Sequence, residues 1–294
     1  MSKHALVIIN PKAGQKKARK HTFEIVDRLS RDGYSVSIRT TTKAGDATTF
    51  AQQYGPDQDL IVCCGGDGTL NEVINGITSV GCTAPLGYVP AGTTNDFART
   101  VRLPKKVEKC MDRILSTLPR NCDIGRFNGR DFTYIASAGA FTKVSYSTPQ
   151  RLKNRLGHTA YLWEGIKEIG HITPFRAKVT FNGRTEEDEF VFISVSNSTS
   201  IAGLFKLNRL DVRLDDGEFE LMLIRNPKNA VELIRVITGL VGGKYDPRYV
   251  IFDHVRHVRF EFEKPIEWTL DGESGKAHTE VEIGVLDDVI RIFY

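Results

Sequence analysis

The apolar run Leu60–Cys64 stops at three glycines set around an acid, Gly65-Gly66-Asp67-Gly68-Thr69, and an amphipathic segment starts at once, from about Leu70 to Ile77. An unbroken apolar run of this length fits a strand buried on both faces. A strand that passes into a helix through glycine is one unit of a parallel sheet covered by helices. The same order recurs on either side. Ala5–Ile9 reads as a strand running into Asn10-Pro11-Lys12-Ala13-Gly14, followed by a helical segment from about Lys17 to Arg31 with Ala18, Ile25 and Leu29 at helical spacing. Ser35–Thr40 reads as a strand, Asp46–Tyr54 as a helix and Leu86–Val89 as a further strand. Residues 1–125 are therefore expected to form a doubly wound α/β domain.

The second half has a different period. Asn128-Gly129 and Asn182-Gly183 lie between strand-like runs, the strongest short hairpin signal. Phe219, Leu221 and Leu223, and again Val258, Phe260 and Phe262, alternate with other residues, as expected of antiparallel strands with one wet face. Helices are expected near Thr159–Ile169 and from Asn226-Pro227 onward, the latter with Leu233, Ile234, Ile237 and Val241 as its apolar stripe. Residues 126–294 are expected to be a mainly antiparallel β-sandwich domain with helices, with the boundary near Asp123–Asn128.

The glycines of the first turn let backbone approach a phosphate with no Cβ in the way, and the helix that follows offers N–H groups and a favourable dipole. A bare glycine turn is as often a packing device. Asp67 adds an acid, which is unfavourable at a phosphate unless a cation lies between them. No Gly-Lys-[Ser/Thr] follows, so the turn is not a P-loop. A second loop, Gly92-Thr93-Thr94-Asn95-Asp96-Phe97-Ala98-Arg99, also follows a strand and opens a helix. By itself it reads as an Asn95 or Asp96 helix cap. Two such loops at the carboxyl ends of strands fit the edge where α/β sheets bind ligands.

These loops, with Asn10-Pro11 and Gly14, Asp123-Ile124-Gly125, Asp215-Asp216-Gly217 and Asp271-Gly272-Glu273, resemble the diacylglycerol kinase catalytic family, above all its soluble bacterial members. The match runs nearly end to end. The related NAD kinases share the Gly-Gly-Asp-Gly-Thr turn but not its Asn-Glu-Val-x-Asn-Gly continuation. The resemblance implies that ATP is held by Asn10, Pro11, Lys12, Ala13, Gly14, Thr41, Gly66, Asp67, Gly68, Thr69, Leu70, Asn71, Glu72 and Thr93. It implies that Glu273 is the general base, since phosphoryl transfer leaves the protein chiefly to position groups, neutralise charge and take a proton. Spacing alone makes Asp-Gly-Glu a turn. The resemblance further implies a structural magnesium ion on the Asp216 side chain and the carbonyls of Arg213 and Glu218. Asp67, Asp96 and Asp123 complete the catalytic set, with Asp96 and Asp123 in the water network of this metal. The acceptor implied is diacylglycerol. A sphingoid base, a soluble metabolite as in NAD kinases, and a non-catalytic sensor are the other readings.

Composition agrees. A net charge of only +4 argues against a nucleic-acid binder and fits an anionic substrate or membrane surface. Five cysteines, two of them adjacent and none in Cys-x-x-Cys, read as reduced thiols of a cytoplasmic protein. No stretch approaches the ~20 apolar residues of a membrane span. Basic clusters at Lys12, Lys16, Lys17, Arg19 and Lys20, and at Arg151, Lys153 and Arg155, are expected to hold the protein peripherally on anionic lipid. Tyr161 and Trp163 read as core residues, and a homodimer as a way to cover sheet edges.

Overall fold

A computed structural model describes residues 3–93, 95–139, 173–197, 200–201, 205–206 and 213–294. The expected helix Thr159–Ile169 with Tyr161 and Trp163, and the basic residues Arg151, Lys153 and Arg155, lie outside the described residues, as do the side chains of Lys16, Lys17 and Arg19.

The first unit runs β1 (Lys3–Ile9), α1 (Ala13–Arg31), β2 (Tyr34–Thr40), α2 (Asp46–Tyr54), β3 (Leu60–Gly65), α3 (Asp67–Ser79), β4 (Leu86–Pro90), α4 (Asp96–Thr100) and α5 (Val107–Ser116). The four strands are parallel, in the order β4-β3-β1-β2. Successive residues of a strand face opposite sides, and each side of β1 has its own cover. Ala5, Val7 and Ile9 pack with Ala18, Ile25 and Leu29 of α1 and with Val107, Cys110 and Ile114 of α5. Leu6 and Ile8 pack with Ala47 and Ala51 of α2 and with Leu70, Val73 and Ile77 of α3. Helix α3 starts at Asp67, so the motif itself forms its first turn.

The second unit contains β5 (Arg120–Phe127), β6 (Arg130–Phe132), β7 (Ile135–Gly139), β8 (Phe175–Phe181), β9 (Arg184–Ser196), the short pair β10 (Ser200–Ile201) and β11 (Phe205–Lys206), β12 (Phe219–Arg225), α6 (Ala230–Gly242), β13 (Val250–Val255), β14 (His257–Leu270) and β15 (Glu273–Ile292). Its main run is antiparallel, β13-β12-β9-β7-β14-β15. Both Asn-Gly pairs are hairpin turns, with φ of 45° and 86° at Asn128-Gly129 and 48° and 73° at Asn182-Gly183. Two left-handed residues in succession match the twist of the flanking strands. Asp271-Gly272 turns β14 into β15 in the same way, with φ of 49° and 87°. One face of this sheet is an aromatic-rich core that includes Phe127, Phe132, Phe190, Phe219, Phe260 and Trp268.

The two units share backbone. Near its end β15 lies beside β4, Ile292 opposite Leu86, and thirteen of the described strands form one sheet. Ile290, Ile292 and Phe293 are buried in the cores of the first unit.

Three expectations need correction. Helix α6 opens at Ala230, not at Asn226-Pro227, because Asn229 is the residue whose side chain accepts from the Glu232 amide. Asn226 instead donates to Glu189. The buried face of α6 is Val236, Ile237 and Leu240, while Ile234 is 53% exposed. Strand β12 has no wet face: it lies between β9 and β13, and Glu220, Met222 and Ile224 are buried like Phe219, Leu221 and Leu223.

Candidate active site

The carboxyl ends of β1, β3 and β4 converge on a cleft of about 420 Å3, lined by Asn10, Lys12, Ala13, Thr41, Gly66, Gly68, Thr69 and Glu72 of the expected set, together with Glu273. The glycine turn and the second loop meet backbone to backbone: a Cβ on Gly92 would lie 2.6 Å from the Gly66 Cα. Gly66, the cap of α3, has no side chain to occupy the helix N-terminus. Asn10 donates from Nδ2 to Thr69 Oγ1 at 3.1 Å and accepts from the Lys12 amide at 3.0 Å, which ties the β1 loop to the turn. Backbone N–H groups, hydroxyls and a lysine around a space that a Cβ would fill are suited to a polyphosphate.

Glu72 has a job the sequence did not indicate. Its carboxylate accepts from the amides of Gly45 and Ala47, at 2.9 and 3.1 Å, and so holds the loop after β2 against the cleft. Thr42, Lys43 and Ala44 line the cleft from that loop, beside Thr41, whose amide donates to Ile9 O. Asp46 fixes the same loop by accepting from Thr42 and Lys43, contacts that lower its pKa.

Leu70 and Asn71 do not reach the cleft. Leu70 is 1% exposed in the core, and Asn71, 6% exposed, points to the second unit. Its Nδ2 donates to Asp271 at 2.8 Å. Asp271 also accepts from the amides of Thr133, Tyr134 and Ile135 at 2.6, 2.9 and 3.1 Å. Burial raises the pKa of Asp271 and these four donors oppose it. One turn later Asn75 and Thr78 bond Asp131 of β6, whose carboxylate pairs with Arg126. Helix α3 thus carries the glycine turn at its start and grips the second unit along its side.

That grip sets Glu273 at the cleft. A Cβ on Gly68 would lie 2.7 Å from Glu273 Oε1, so the carboxylate sits where only glycine allows it. Its other oxygen accepts from Arg130 at 3.1 Å. Burial raises the Glu273 pKa first, Arg130 opposes, and Glu72 and Asp271 add to the rise. A partly desolvated carboxylate with a raised pKa beside a phosphate-type turn is equipped to take a proton.

The expected acids fall into two groups. Asp67 accepts from the amides of Asp96 and Phe97 at 3.1 and 3.3 Å and so joins the two loops. Burial pushes its pKa up to about 6 against those amides, with Asp96 and Asp271 adding to the rise. Asp123 belongs to the second group: it accepts from the Gly217 amide at 2.7 Å, inside the loop that carries Arg213, Asp216 and Glu218. The Asp216 carboxylate accepts from the Glu218 amide. Asp287 and Asp288, which sequence reasoning missed, join Asp123, with carboxylate oxygens all within 4.8 Å of one another. Burial pushes Asp123 up to about 6, opposed by the Gly217 and Asp288 amides. The signal for this pair was present: two acids inside the run Val285–Ile290 break its period, and β15 shifts register there. An all-oxygen donor set of this kind suits a hard divalent cation. Thr93 is exposed beside Gly92, and Pro11 and Gly14 sit at the start of α1 without lining the cleft.

The five cysteines are free and buried, and burial pushes Cys64 and Cys122 up to about 12. No helix among the described residues is long and apolar enough to cross a membrane.

Two family models match the chain in succession. Residues 4–127 match the family model of the diacylglycerol kinase catalytic domain, and residues 135–294 that of the YegS C-terminal NAD kinase beta sandwich-like domain. A diacylglycerol kinase of Bacillus subtilis (strain 168) is 34% identical over 276 residues, covering 93% of this chain and 90% of its own. One from Staphylococcus aureus (strain MRSA252) is 32% identical over 277 residues, covering 94% and 87%. A crystal structure of a diacylglycerol kinase from Bacillus anthracis superposes with a TM-score of 0.77 at 25% identity, over 100% of this chain and 97% of that one. With both domains matched in order and relatives this similar along nearly their whole length, the chain belongs to the diacylglycerol kinase catalytic domain family and is a kinase.

Proposed function

We propose that this kinase transfers the γ-phosphoryl group of ATP to the free hydroxyl of a membrane lipid, diacylglycerol, to give phosphatidic acid. The observation that carries the reading is Glu273 Oε1 at the Gly68 position of the glycine turn. It sets a proton acceptor beside the backbone donors suited to a phosphate. In the division of labour we propose, a doubly wound unit of residues 1–125 holds the nucleotide and residues 126–294 bring the acceptor and the base. Asn10, Lys12, Thr41, Gly66, Gly68, Thr69 and Thr93 hold the polyphosphate through backbone amides, hydroxyls and one ammonium. Glu273 accepts the proton of the lipid hydroxyl as the new O–P bond forms and the β–γ bridging P–O bond breaks, with ADP leaving.

The oxygen donors around Asp123 and the Arg213–Glu218 loop support a magnesium-type ion held by the Asp216 carboxylate and the carbonyls of Arg213 and Glu218. Bound magnesium supplies charge neutralisation toward the phosphate-binding loops. Asp67 and Asp96 hold the two loops together, which keeps the donors aimed at one point. A diacylglycerol acceptor also requires contact with a bilayer, and the net charge of +4 favours an anionic one.

The test is transfer of label from γ-labelled ATP in mixed micelles containing diacylglycerol, a sphingoid base or monoacylglycerol. Label in phosphatidic acid alone is the expected result. The match to an NAD kinase beta sandwich-like domain favours a second reading, a soluble acceptor. Turnover of NAD without micelles, with none of the lipids labelled, would replace the first reading by the second.

A further inference from the structure

We propose that Arg130 is a positioning residue for Glu273: it occupies Oε2 and leaves Oε1, the oxygen at the glycine turn, as the sole proton acceptor. This rests on the reading of Glu273 as the base. Arg130 follows the Asn128-Gly129 turn and opens β6. Its Nη2 donates to Glu273 Oε2 at 3.1 Å and its Nη1 donates to the Ser274 carbonyl at 2.9 Å. One planar guanidinium therefore holds both the side chain of the base and the backbone of the strand that starts with it. A lysine ammonium lacks this fixed fork.

Stability does not account for the pair. The two side chains are 42% and 50% exposed, and ion pairs at such solvent-screened positions contribute little. Geometry accounts for it better. The neighbour of Arg130 is Asp131, buried and bonded by Asn75 and Thr78 of α3. Helix α3 begins with Asp67 and Gly68, and the Gly68 position abuts Glu273 Oε1. The path from Gly68 along α3 to Asp131, Arg130, Glu273 and back to Gly68 is closed. Arg130 is the link that touches Glu273 itself, and a side-chain change there opens the path without touching the phosphate-type turn.

The charged groups facing Glu273 are Arg130 from β6, Glu72 from α3 and Asp271 from the preceding turn, while Lys12 and Lys43 line the same cleft. Arg130 is the cation among those that shift Glu273, and it favours the ionised form. Its removal must raise the pH at which the base becomes available.

The experiment measures pH profiles of kcat for Arg130→Met, Arg130→Lys, Glu273→Gln and the double variant Arg130→Met with Glu273→Gln, in micellar diacylglycerol with saturating ATP. Arg130→Met should move the acid limb up by about one pH unit, a tenfold loss at fixed pH on that limb. Its ATP KM should stay within about twofold, since the lost contact serves the transition state and not the nucleotide. Arg130→Lys keeps the charge, so its acid limb should stay within about 0.3 units of wild type. The double variant should be no slower than Glu273→Gln alone, because a residue that acts through another has nothing left to position. If Glu273→Gln retains wild-type turnover, the base is misassigned and this inference falls with it. If Glu273→Gln is slow while Arg130→Met keeps both its acid limb and its kcat, the base stands and the role of Arg130 is overturned. Melting temperatures of the Met and Lys variants equal to that of the wild type exclude misfolding as the cause of either result.

Discussion

Asn71 Nδ2 donates to Asp271 Oδ2 at 2.8 Å, joining residues 200 positions apart in the chain. Asp271 has three backbone amides as its other donors, so the bond fixes the turn that carries Glu273 to the helix that carries the glycine turn. Asp271→Ala should destabilise the protein by roughly 3–5 kcal/mol in urea unfolding, since four buried donors lose their acceptor. Asn71→Ala should lose about 1–2 kcal/mol and most of its turnover, with ATP affinity unchanged. A fall in ATP affinity in Asn71→Ala would return Asn71 to the nucleotide site.

Two glycines separate catalysis from folding. An alanine at Gly68 meets only the far end of the Glu273 side chain and sits in a helix, where alanine is favoured by about 0.5–1 kcal/mol. Gly68→Ala should keep or raise the melting temperature while turnover falls at least ~10-fold through displacement of Glu273. An alanine at Gly92 meets the Gly66 backbone, which cannot step aside. Gly92→Ala should lower the melting temperature and turnover together. Equal behaviour of the two variants in thermal melts and assays would mean that the loops do not meet as described.

Asp67 is held against its own charge. The unfolded chain releases this proton near 3.8 and the folded protein near 6, so between those values the native state holds the extra proton. Unfolding free energy therefore falls as pH rises from about 4 to 6, and the loss is complete above that range. In chelator, Asp67→Asn should melt at or above the wild-type temperature at pH 7 and show a shallower slope, since Asp123, also pushed up to about 6, keeps its own share. Its turnover should fall roughly 100-fold or more, as for loss of a group that organises transition-state charge. A variant with the full wild-type slope between pH 4 and 6 would mean that Asp67 does not contribute to it.

Asp216 is tested by heat. A cation bound only by the folded state stabilises it by mass action, about 2.7 kcal/mol at a hundredfold excess over Kd. Magnesium should raise the wild-type melting temperature and leave that of Asp216→Ala unchanged. A parallel rise in both would remove the metal from the Arg213–Glu218 loop.

What could be read in the sequence was what a residue demands of its own backbone. Asn128-Gly129 and Asn182-Gly183 announce hairpins because few other pairs accept two left-handed positions. The alternation of Val258, Phe260 and Phe262 survives because that strand has one polar face. Where the deciding contact is distant, the local pattern misled or was silent. Glu220 and Met222 look wet until a sheet and a helix cover both sides of β12. Asn71 belongs to a phosphate-type motif by position and to Asp271 by contact. Arg130 is one arginine among many until β15 comes alongside it, and Asn229 prevails over Asn226 as a cap through the amide of Glu232 three residues on.

The pairing of Ile292 with Leu86 has a consequence for how the protein is made. A chain emerging from the ribosome can assemble the four parallel strands early, from residues close in sequence, but one border of that platform stays open until some two hundred further residues have been synthesised. Contacts of such separation form slowly, and an uncovered strand is a template for wrong partners in the meantime. A strand made long after the parallel layer closes its border, and that strand begins with Glu273. Completion of the nascent sheet and arrival of Glu273 are thus one event, so a half-made chain has neither.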